Sequence, residues 1–334
     1  MIVLAASQVI VRDVAQLVAA LKACSASCVI ALSPGDWRNV RIDHVEAHAT
    51  ITGTGAVLHD LTVSNSSGLT FTGLEFSTVG ATIGQWGAAG ENWFKVSASS
   101  NITFDRLQVH GDSRGTLADT PSGFLIRDSK YVTVSNSDFS YLHHAIGFLN
   151  DEHLTIIKNS LHNLYDDAIR GGGTSWVTIS NNLCRSNHPD ITDTDHPDCI
   201  QFWTTNTTTP AHDITINNNG YDRGTGYSTQ FIFLGNEKNI QYYNISIFDN
   251  YSYGSGWNAI AVSNARNVSI QNNSVIPSCK PDKGVIVTSR VVLGNINEIR
   301  LYDNVAGDFI ETAPNTQKSQ GNNRKSGCMD HSPF

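Results

Sequence analysis

Two segments, Leu154-Thr-Ile156 and Val177-Thr-Ile179, decide the fold, because each is followed three residues later by an asparagine, Asn159 or Asn182. Nearly the same pattern occurs nine times along the chain. The copies are Leu69-Thr-Phe71, Ile102-Thr-Phe104, Val132-Thr-Val134, Leu154-Thr-Ile156, Val177-Thr-Ile179, Ile214-Thr-Ile216, Ile245-Ser-Ile247, Val268-Ser-Ile270 and Ile299-Arg-Leu301. They are separated by 22 to 37 residues, so the basic period is 22 residues and the longer intervals contain inserted loops. Short β-branched runs at this period, with no helical half, predict a parallel β-helix in which each repeat is one coil.

A polar residue recurs three positions after most of the repeats. These residues are Ser137, Asn159, Asn182, Asn219, Asn250, Asn273 and Asn304. An asparagine at this position can donate a hydrogen bond to one neighbouring coil and accept one from the other, so we expect a stacked ladder. The sequence therefore predicts an all-β, single-stranded, right-handed parallel β-helix that forms one domain over residues 1–334. The open ends of such a solenoid need covers, and we assign these roles to an N-terminal capping helix at 11–23 and a C-terminal capping tail at 279–334.

Composition excludes several classes of protein. Of the 334 residues, 40% are hydrophobic and only 16% are charged, which is unlike a disordered chain, and the net charge of -8 disfavours nucleic acid or an anionic membrane surface as a partner. No apolar run approaches the ~20 residues that span a bilayer, so we expect no membrane partner. The six cysteines lack paired zinc-site spacing, and we predict the disulfides Cys24–Cys28, Cys184–Cys199 and Cys279–Cys328 among the 15 connectivities that six cysteines allow. Disulfides favour a secreted or periplasmic location, and the assembly is expected to be a monomer or a homotrimer.

A second polar column starts 12 residues before the last apolar position of each repeat. Allowing for inserted loops, it contains Asn92, Ser122, His144, Asp167, Asp198, Gln230 and Asn258. Two positions later there is an apolar column that should point inward. One further position along, the chain has Lys95, Leu125, Gly147, Arg170, Gln201, Phe233 and Ala261, which by the alternation of a strand should point outward.

Acidic residues concentrate in the middle of this face. Neighbouring coils stack ~4.8 Å apart, so Asp166, Asp167 and Asp198 should crowd together on one exterior surface, with Arg170 and His196 within reach. Adjacent carboxylates resist ionising together, and one of them should hold a proton near neutral pH. Glycosidic cleavage requires this arrangement of one protonated acid and one carboxylate. We therefore predict that Asp167 and Asp198 are catalytic and that Asp166, His196 and Arg170 assist them.

Side chains around the acids provide candidate substrate contacts. The predicted substrate-binding residues are His144, Gln201, Gln230, Lys95, Trp203, Tyr165, Tyr227 and Trp257. Sugar rings present apolar C–H faces that pack on aromatic side chains, whereas the polar residues can bond hydroxyl groups. The predicted partner is accordingly a polysaccharide.

Over nearly its whole length the sequence resembles the pectate-lyase-like β-helix superfamily of carbohydrate-active proteins. The N-terminal stretch from the predicted helix through Val29-Ile-Ala-Leu-Ser-Pro-Gly-Asp-Trp37 is similar to the opening of many of its polysaccharide lyases. The two acidic strings also resemble those of polygalacturonase-type glycosidases. By position, Asp167 matches the acid of the first string, and Asp198, in Asp-Cys-Ile, matches one acid of the second. Pro197 replaces the other acid of that pair, and the family's Gly-His-Gly and Arg-x-Lys strings are missing. The resemblance implies hydrolysis of glycosidic bonds.

Two alternatives remain open at the level of sequence. A polysaccharide lyase or C5-epimerase acting on a uronate polymer would need a cation to neutralise the substrate carboxylate and a base to remove a proton. No cofactor is expected for hydrolysis, although the acidic loop with Asp190, Asp193 and Asp195 offers hard oxygen ligands that suit calcium. A non-catalytic polysaccharide-binding solenoid would use the same groove without a competent acid pair.

Overall fold

The chain folds as a parallel β-helix, as predicted. The computed structural model describes residues 8–80, 92–115, 120–189, 196–282 and 284–332. Each coil contributes strands to three parallel sheets, which we call sheets I, II and III in the order in which a coil passes through them. Sheets I and II are joined in one ladder of 22 strands, and sheet III has 12 strands. The described part of the chain is therefore an almost all-β cylinder with its apolar core inside.

The strands of each sheet follow one another along the cylinder axis. Sheet I contains Val40–Asp43, Leu61–Ser64, Asn92–Ser97, Ser122–Arg127, Ile146–Leu149, Ile169–Gly172, Asp198–Phe202, Gln230–Leu234 and Asp308–Glu311. Sheet II contains Gln8–Val11, Ser27–Leu32, Glu46–Thr52, Ser67–Thr72, Ser100–Asp105, Lys130–Ser135, Glu152–Ile157, Ser175–Ser180, His212–Asn217, Tyr242–Phe248 and Thr316–Gly321. Two long strands, Asn258–Gln271 and Arg290–Tyr302, turn the corner and belong to both sheets. Sheet III contains Gly35–Trp37, Ala56–Leu58, Glu75–Ser77, Gln108–His110, Asp138–Ser140, Ser160–His162, Leu183–Arg185, Gly220–Asp222, Tyr251–Tyr253, Ser274–Ile276, Val305–Ala306 and Arg324–Lys325.

The sequence repeats are the strands of sheet II, and they stack in the predicted register. Thr155 pairs with Thr178, for example, and Thr178 pairs with Thr215 in the next coil. The apolar residues on either side of each central residue point into the cylinder, where Leu154 and Ile156 have no exposed surface. The alternation of the repeat thus separates a buried apolar column from an outward column of hydroxyl groups.

The predicted asparagine ladder is confirmed. The side-chain amide of Asn159 donates to Asn182 Oδ1 at 3.0 Å, and that of Asn182 donates to Asn219 Oδ1 at 3.0 Å. Asn182 Nδ2 also donates to the carbonyl oxygen of Ile156 at 2.9 Å, and Asn182 Oδ1 accepts from the backbone N–H of Asn159 at 3.0 Å. The ladder continues to Asn323, one coil beyond the last predicted member. Every amide points the same way along the axis, which satisfies buried polar groups in successive turns.

The N-terminal helix is shorter than predicted. It covers Val14–Lys22 rather than 11–23, because the chain before it forms strand Gln8–Val11. Asp13 has an extended backbone and caps the helix through its side chain, which accepts a hydrogen bond from Gln16 N at 2.8 Å. The apolar side of the helix packs against the first strands of sheet II, so it covers the first coils.

The three predicted disulfides are all present. They join Cys24 to Cys28, Cys184 to Cys199 and Cys279 to Cys328. The second one links sheet III of one coil to the start of a sheet I strand in the next coil, and both of its cysteines are fully buried. It therefore fixes the backbone beside Asp198 and tethers the intervening loop at both ends.

Beyond Cys279 the chain still forms coils. Strands of all three sheets occur between residues 290 and 325, and the end of the chain is attached to the side of the cylinder, where Met329 accepts hydrogen bonds from Cys279 N and the Tyr253 hydroxyl. The capping role assigned to 279–334 stays a prediction. The helix at the other end has nine residues, and nowhere in the described ranges is there a helix with the length and apolar character to span a membrane.

Candidate active site

Three acidic side chains meet at the corner where sheet III turns into sheet I. Asp166 and Asp167 lie just before strand Ile169–Gly172, and Asp198 begins the sheet I strand of the next coil. The backbone N–H of Asp198 donates to Asp167 Oδ1 at 2.7 Å, so the two acids are vertical neighbours, as predicted from their spacing. The outward column is also in register, with Arg170 beside Gln201.

The expectation that Asp167 and Asp198 both lie on the exterior is wrong. The Asp167 side chain is 3% exposed and that of Asp198 is 0% exposed. Their position in the strand has the same parity as the inward Ile169 and Ile200, so at the corner they turn under the surface rather than over it. Asp166, whose side chain is 15% exposed, is the acid of the cluster that reaches solvent.

Two histidines hold Asp166 in its ionised form. Asp166 Oδ2 lies 3.0 Å from His144 Nε2 and 3.4 Å from His143 Nε2, with Arg170 Nη1 at 3.9 Å. Burial on its own would raise the pKa of Asp166, but hydrogen bonds from His143 and His144 outweigh it and hold that pKa well below its usual range. Asp166 is therefore a carboxylate.

The other two acids are pushed in the opposite direction. Burial raises the pKa of Asp167 well above its usual range, and the negative charges of Asp166 and Asp198 add to this effect. Arg170 Nη1, at 3.2 Å from Asp167 Oδ2, opposes it. Burial also raises the pKa of Asp198 to about 6, although a hydrogen bond from His196 lowers it. The cluster consequently contains carboxyl groups with divergent protonation, a pattern found in acid–base active sites.

His144 connects the acids to the preceding coil. Its Nδ1 lies 2.8 Å from Ser122 Oγ, and burial lowers its pKa to about 3, so the ring is neutral. Arg170 Nη1 contacts the same Nε2 that faces Asp166. A neutral ring carries one proton, so Nε2 either donates to Asp166 or accepts from Arg170, and the Ser122 hydroxyl suits both tautomers. In both cases Arg170 is the cation beside Asp166 and Asp167.

His196 lies at the surface above Asp198. Its side chain is 46% exposed, and its Nδ1 lies 3.1 Å from Asp198 Oδ2. Gln201 Nε2 donates to the same oxygen at 2.8 Å, and the imidazole packs against Phe233 with ring centroids 4.7 Å apart. Asp198 Oδ1 is buried and has no hydrogen-bond partner among the described residues. Asp198 thus orients an exposed imidazole while retaining a tendency to bind a proton.

Arg170 lies across the outer face of sheet I. Its guanidinium carbon is 4.4 Å from the centre of the Trp203 ring in the next coil, a cation–π contact. The following residue, Gly171, has no room for a side chain, because a Cβ there would lie 2.1 Å from the carbonyl oxygen of Phe148. The close approach of the coils at this glycine keeps Arg170 against its neighbours.

Some predicted substrate-binding residues extend this face toward the C-terminus. Gln230 pairs with Asp198 in the next coil, although its side chain is largely buried. Trp257 is 45% exposed and packs against the Arg290 guanidinium at 4.4 Å, and Tyr227 is 37% exposed. These two aromatic side chains offer exposed surface beyond the acid cluster.

Two others lie on its N-terminal side. Lys95 is exposed and belongs to the column of Arg170, but register places it three coils away, about 14 Å. The Tyr165 hydroxyl donates to the carbonyl oxygen of Gly115 at 2.8 Å, so it holds a neighbouring loop. The structure therefore does not bring Lys95 to the acids, and it gives Tyr165 a structural contact.

Comparison with known proteins identifies the architecture. No protein-family model matches the sequence, and no curated protein matches it either. Among solved structures, the family 28 exopolygalacturonase of Yersinia enterocolitica is similar with a TM-score of 0.60 and 11% identity, covering 98% of this chain and 79% of that one. The hyperthermoactive exopolygalacturonase of Thermotoga maritima gives a TM-score of 0.64 at 9% identity, covering 96% and 92%. The chain therefore has the right-handed parallel β-helix fold of these solved structures. A GH136 lacto-N-biosidase of Eubacterium ramulus, with a TM-score of 0.55 at 11% identity over 96% of this chain and 66% of that one, shares this fold.

In this β-helix, sequence reasoning missed two residues of the acid cluster. His143 was not assigned a role, yet its Nε2 lies 3.4 Å from Asp166 Oδ2, and Ser122, which bonds His144, was only a member of the polar column. The doublet His143-His144 could have indicated this role, because at a corner between strands two successive side chains can both point toward the next coil.

Three side chains of the β-helix have the donor atoms of a metal site. Within the described residues, one ring nitrogen of His143, one of His144 and an Asp166 oxygen lie within 4.8 Å of one another. The Arg170 guanidinium contacts this same group, so a divalent cation would have to displace it. The predicted calcium ligands Asp190, Asp193 and Asp195 lie outside the described residues.

Proposed function

We propose that this β-helix is a polysaccharide-degrading enzyme that hydrolyses glycosidic bonds on the outer face of sheet I. The observation that carries the proposal is the acid cluster, in which an ionised carboxyl, Asp166, lies beside two acids, Asp167 and Asp198, whose pKa values are raised by burial. Structural neighbours with the same fold include two exopolygalacturonases and a lacto-N-biosidase, which is consistent with it.

Exposure assigns the roles within the cluster. Asp166 is ionised and reaches solvent. It acts either as the base that takes a proton from the water attacking the anomeric carbon, or as the nucleophile that forms a glycosyl-enzyme which water then hydrolyses. His196 is the exposed partner of Asp198, and it donates a proton to the glycosidic oxygen as the C–O bond breaks. Asp198, with a pKa raised to about 6, holds a proton that can replace the one that His196 transfers. Asp167 lies beneath and positions Arg170.

Side chains at the surface bind the sugar. Arg170 and Trp203 form a cation–aromatic pair beside Asp166, whereas the Gln201 amide is buried and donates to Asp198. Because Arg170 supplies the positive charge, we propose that hydrolysis uses no metal cofactor. The three disulfides favour secretion or a periplasmic location, and a monomeric or homotrimeric state stays a prediction.

Turnover of a panel of neutral and acidic polysaccharides, followed as new reducing ends, tests the proposal. Asp166→Asn should lower kcat on the hydrolysed glycan by roughly a thousandfold, because it removes the ionised group. Asp138→Asn is the control, since Asp138 is an acid paired with a histidine on sheet III, away from the groove. Unchanged turnover in Asp166→Asn would contradict the assignment. Binding of a glycan without any turnover would favour the polysaccharide-binding solenoid.

Elimination on a uronate polymer is the second candidate, because of one observation. The Arg170 side chain is 28% exposed beside two histidines, so it could neutralise a substrate carboxylate while a histidine removes the proton. A lyase would release an unsaturated uronate that absorbs in the ultraviolet, whereas a hydrolase produces reducing ends without that absorbance. An epimerase would produce neither.

A further inference from the structure

A second cleft of about 730 Å³ lies on the outer face of sheet II, away from the acid cluster. Its floor is the central hydroxyl column of the repeats. The column contains Thr133, Thr155, Thr178, Thr215, Ser246 and Ser269, each paired in register with the next. At one hydroxyl per coil, these side chains extend for about 24 Å along the axis. The floor is thus a straight, evenly spaced row of hydrogen-bonding groups.

Aromatic side chains form one wall of this cleft. Tyr131 stacks on His153 with ring centroids 4.5 Å apart and planes at 5°, and His153 stacks on Trp176 at 4.9 Å and 11°. Tyr131 is 53% exposed and Trp176 is 46% exposed. Because the rings stack along the axis, the faces between them cover one another, and much of the remaining exposed surface is at the ring edges.

The backbone under these rings is unusual. Tyr131, His153 and Trp176 have φ angles of 55°, 56° and 52°, in the left-handed region. Four other coils use residues suited to that conformation in the same column, namely Asn101, Asp213, Asn244 and Asn267, while the last two coils have Glu298 and Gln317 there. Three successive coils instead hold bulky rings in a strained conformation. Stacking offsets part of that strain, but it does not explain why the rings line an open cleft, and such outliers suggest a function.

The charged groups of the cleft are already paired. Asp213 bonds His212 at 2.6 Å and Asn244 at 2.9 Å, while Arg300 bonds Glu298 at 3.0 Å. A ligand therefore meets hydroxyls, amides and ring edges without a surplus of either charge. This chemistry complements a linear neutral polyol and disfavours a polyanion.

We propose that this cleft is a second saccharide-binding site, which holds a segment of a neutral polysaccharide along the axis while the sheet I groove acts on the chain. The hydroxyl row bonds the sugar hydroxyls, and the edges of Tyr131 and Trp176 fix the position of the chain. The choice of a glycan as ligand rests on the proposed function, but the cleft shares no residue with the acid cluster.

Affinity electrophoresis in gels containing xylan, glucomannan, galactan or β-glucan tests the proposal, with polygalacturonate as the charged comparison. The double variant Tyr131→Asn/Trp176→Asn removes the rings and inserts the residue that the column uses elsewhere, so the backbone is preserved. It should weaken binding of the retained neutral glycan by about tenfold. Thr178→Val removes one hydroxyl from the floor at nearly constant shape, and it should weaken binding by about threefold.

Two controls separate this site from the acid cluster. Asn101→Gly changes the same backbone column outside the cleft and should bind like the wild type, as should Asp166→Asn. The double variant should hydrolyse short oligosaccharides at the wild-type rate. The proposal is overturned if no neutral glycan retards the wild type, if both cleft variants bind like it, or if Asp166→Asn alone abolishes binding. Weakened binding in the cleft variants, with no turnover of any glycan by the wild type, would support this site and contradict the proposed hydrolysis.

Discussion

Two polar columns run through adjacent coils of this cylinder, and only one of them is fully satisfied. In the asparagine ladder, Asn182 donates two hydrogen bonds and accepts others from the preceding coil. In the acid column, Asp198 has one buried oxygen without a partner among the described residues, and burial raises the pKa values of Asp167 and Asp198. An amide is both donor and acceptor, whereas a carboxylate only accepts. The first column therefore stabilises the fold, while the second is a costly arrangement of the kind found at functional sites.

Replacing an asparagine of the ladder by aspartate should have a larger effect on the free energy of unfolding than replacing an aspartate of the acid column by asparagine. Asn182→Asp removes both donated bonds and places a carboxylate against the Asn219 amide oxygen. The free energy of unfolding at neutral pH should fall by roughly 3–5 kcal/mol, measured by urea denaturation, and should partly recover in acid as the new group takes up a proton.

The neighbouring residue provides the matched control. Asn181→Asp makes the same change at an exposed position with φ of 56°, which aspartate tolerates, and should leave stability nearly unchanged. Equal stabilities of the two variants would show that ladder hydrogen bonds contribute little.

The reverse exchange, Asp198→Asn, should have a smaller effect of opposite sign. The pKa of Asp198 is raised to about 6 in the folded state, so the native protein retains a proton that the unfolded chain releases at lower pH. Stability of the wild type should therefore fall as pH rises from about 4 to 6, by at most about 3 kcal/mol, and Asp198→Asn should lack this loss.

The difference between the two denaturation curves reports Asp198 together with its effect on Asp167, whose pKa the charge of Asp198 raises. Asp151, whose burial raises its pKa to about 7, produces the same trend in both proteins and cancels. If the stabilities of wild type and Asp198→Asn depended on pH in the same way, the folded state would not raise the pKa of Asp198.

Much of the fold follows from the sequence because a solenoid repeats one local rule. The spacing of Leu154-Thr-Ile156 and Val177-Thr-Ile179 gave their register, and Asn159 and Asn182 gave the ladder. The start of the N-terminal helix was placed too early because Val11 fits a helical stripe and a strand equally well, and only pairing with the next coil decides. Long-range pairing overrides local periodicity there.

The candidate site was predictable in its residues but not in its depth. Register correctly brought Asp167 next to Asp198, but period-two alternation does not say how far a corner residue turns beneath the surface. His143 was missed for the same reason. The second cleft was missed because the repeated Thr was used only to define the repeat, while the rings of Tyr131 and Trp176 become neighbours of that column only in three dimensions.

Nuclear magnetic resonance titration of the aspartate carboxyl carbons tests the split protonation of the acid cluster most directly. Within the cluster, the wild type should show one carboxyl that stays ionised at the lowest pH tolerated by the fold, missing in Asp166→Asn, and one that titrates near pH 6, missing in Asp198→Asn. Asp43, whose pKa is also held well below its usual range, should give the same signal in all three proteins. Normal titration of all three carboxyls, near the usual value of about 4, would contradict the account.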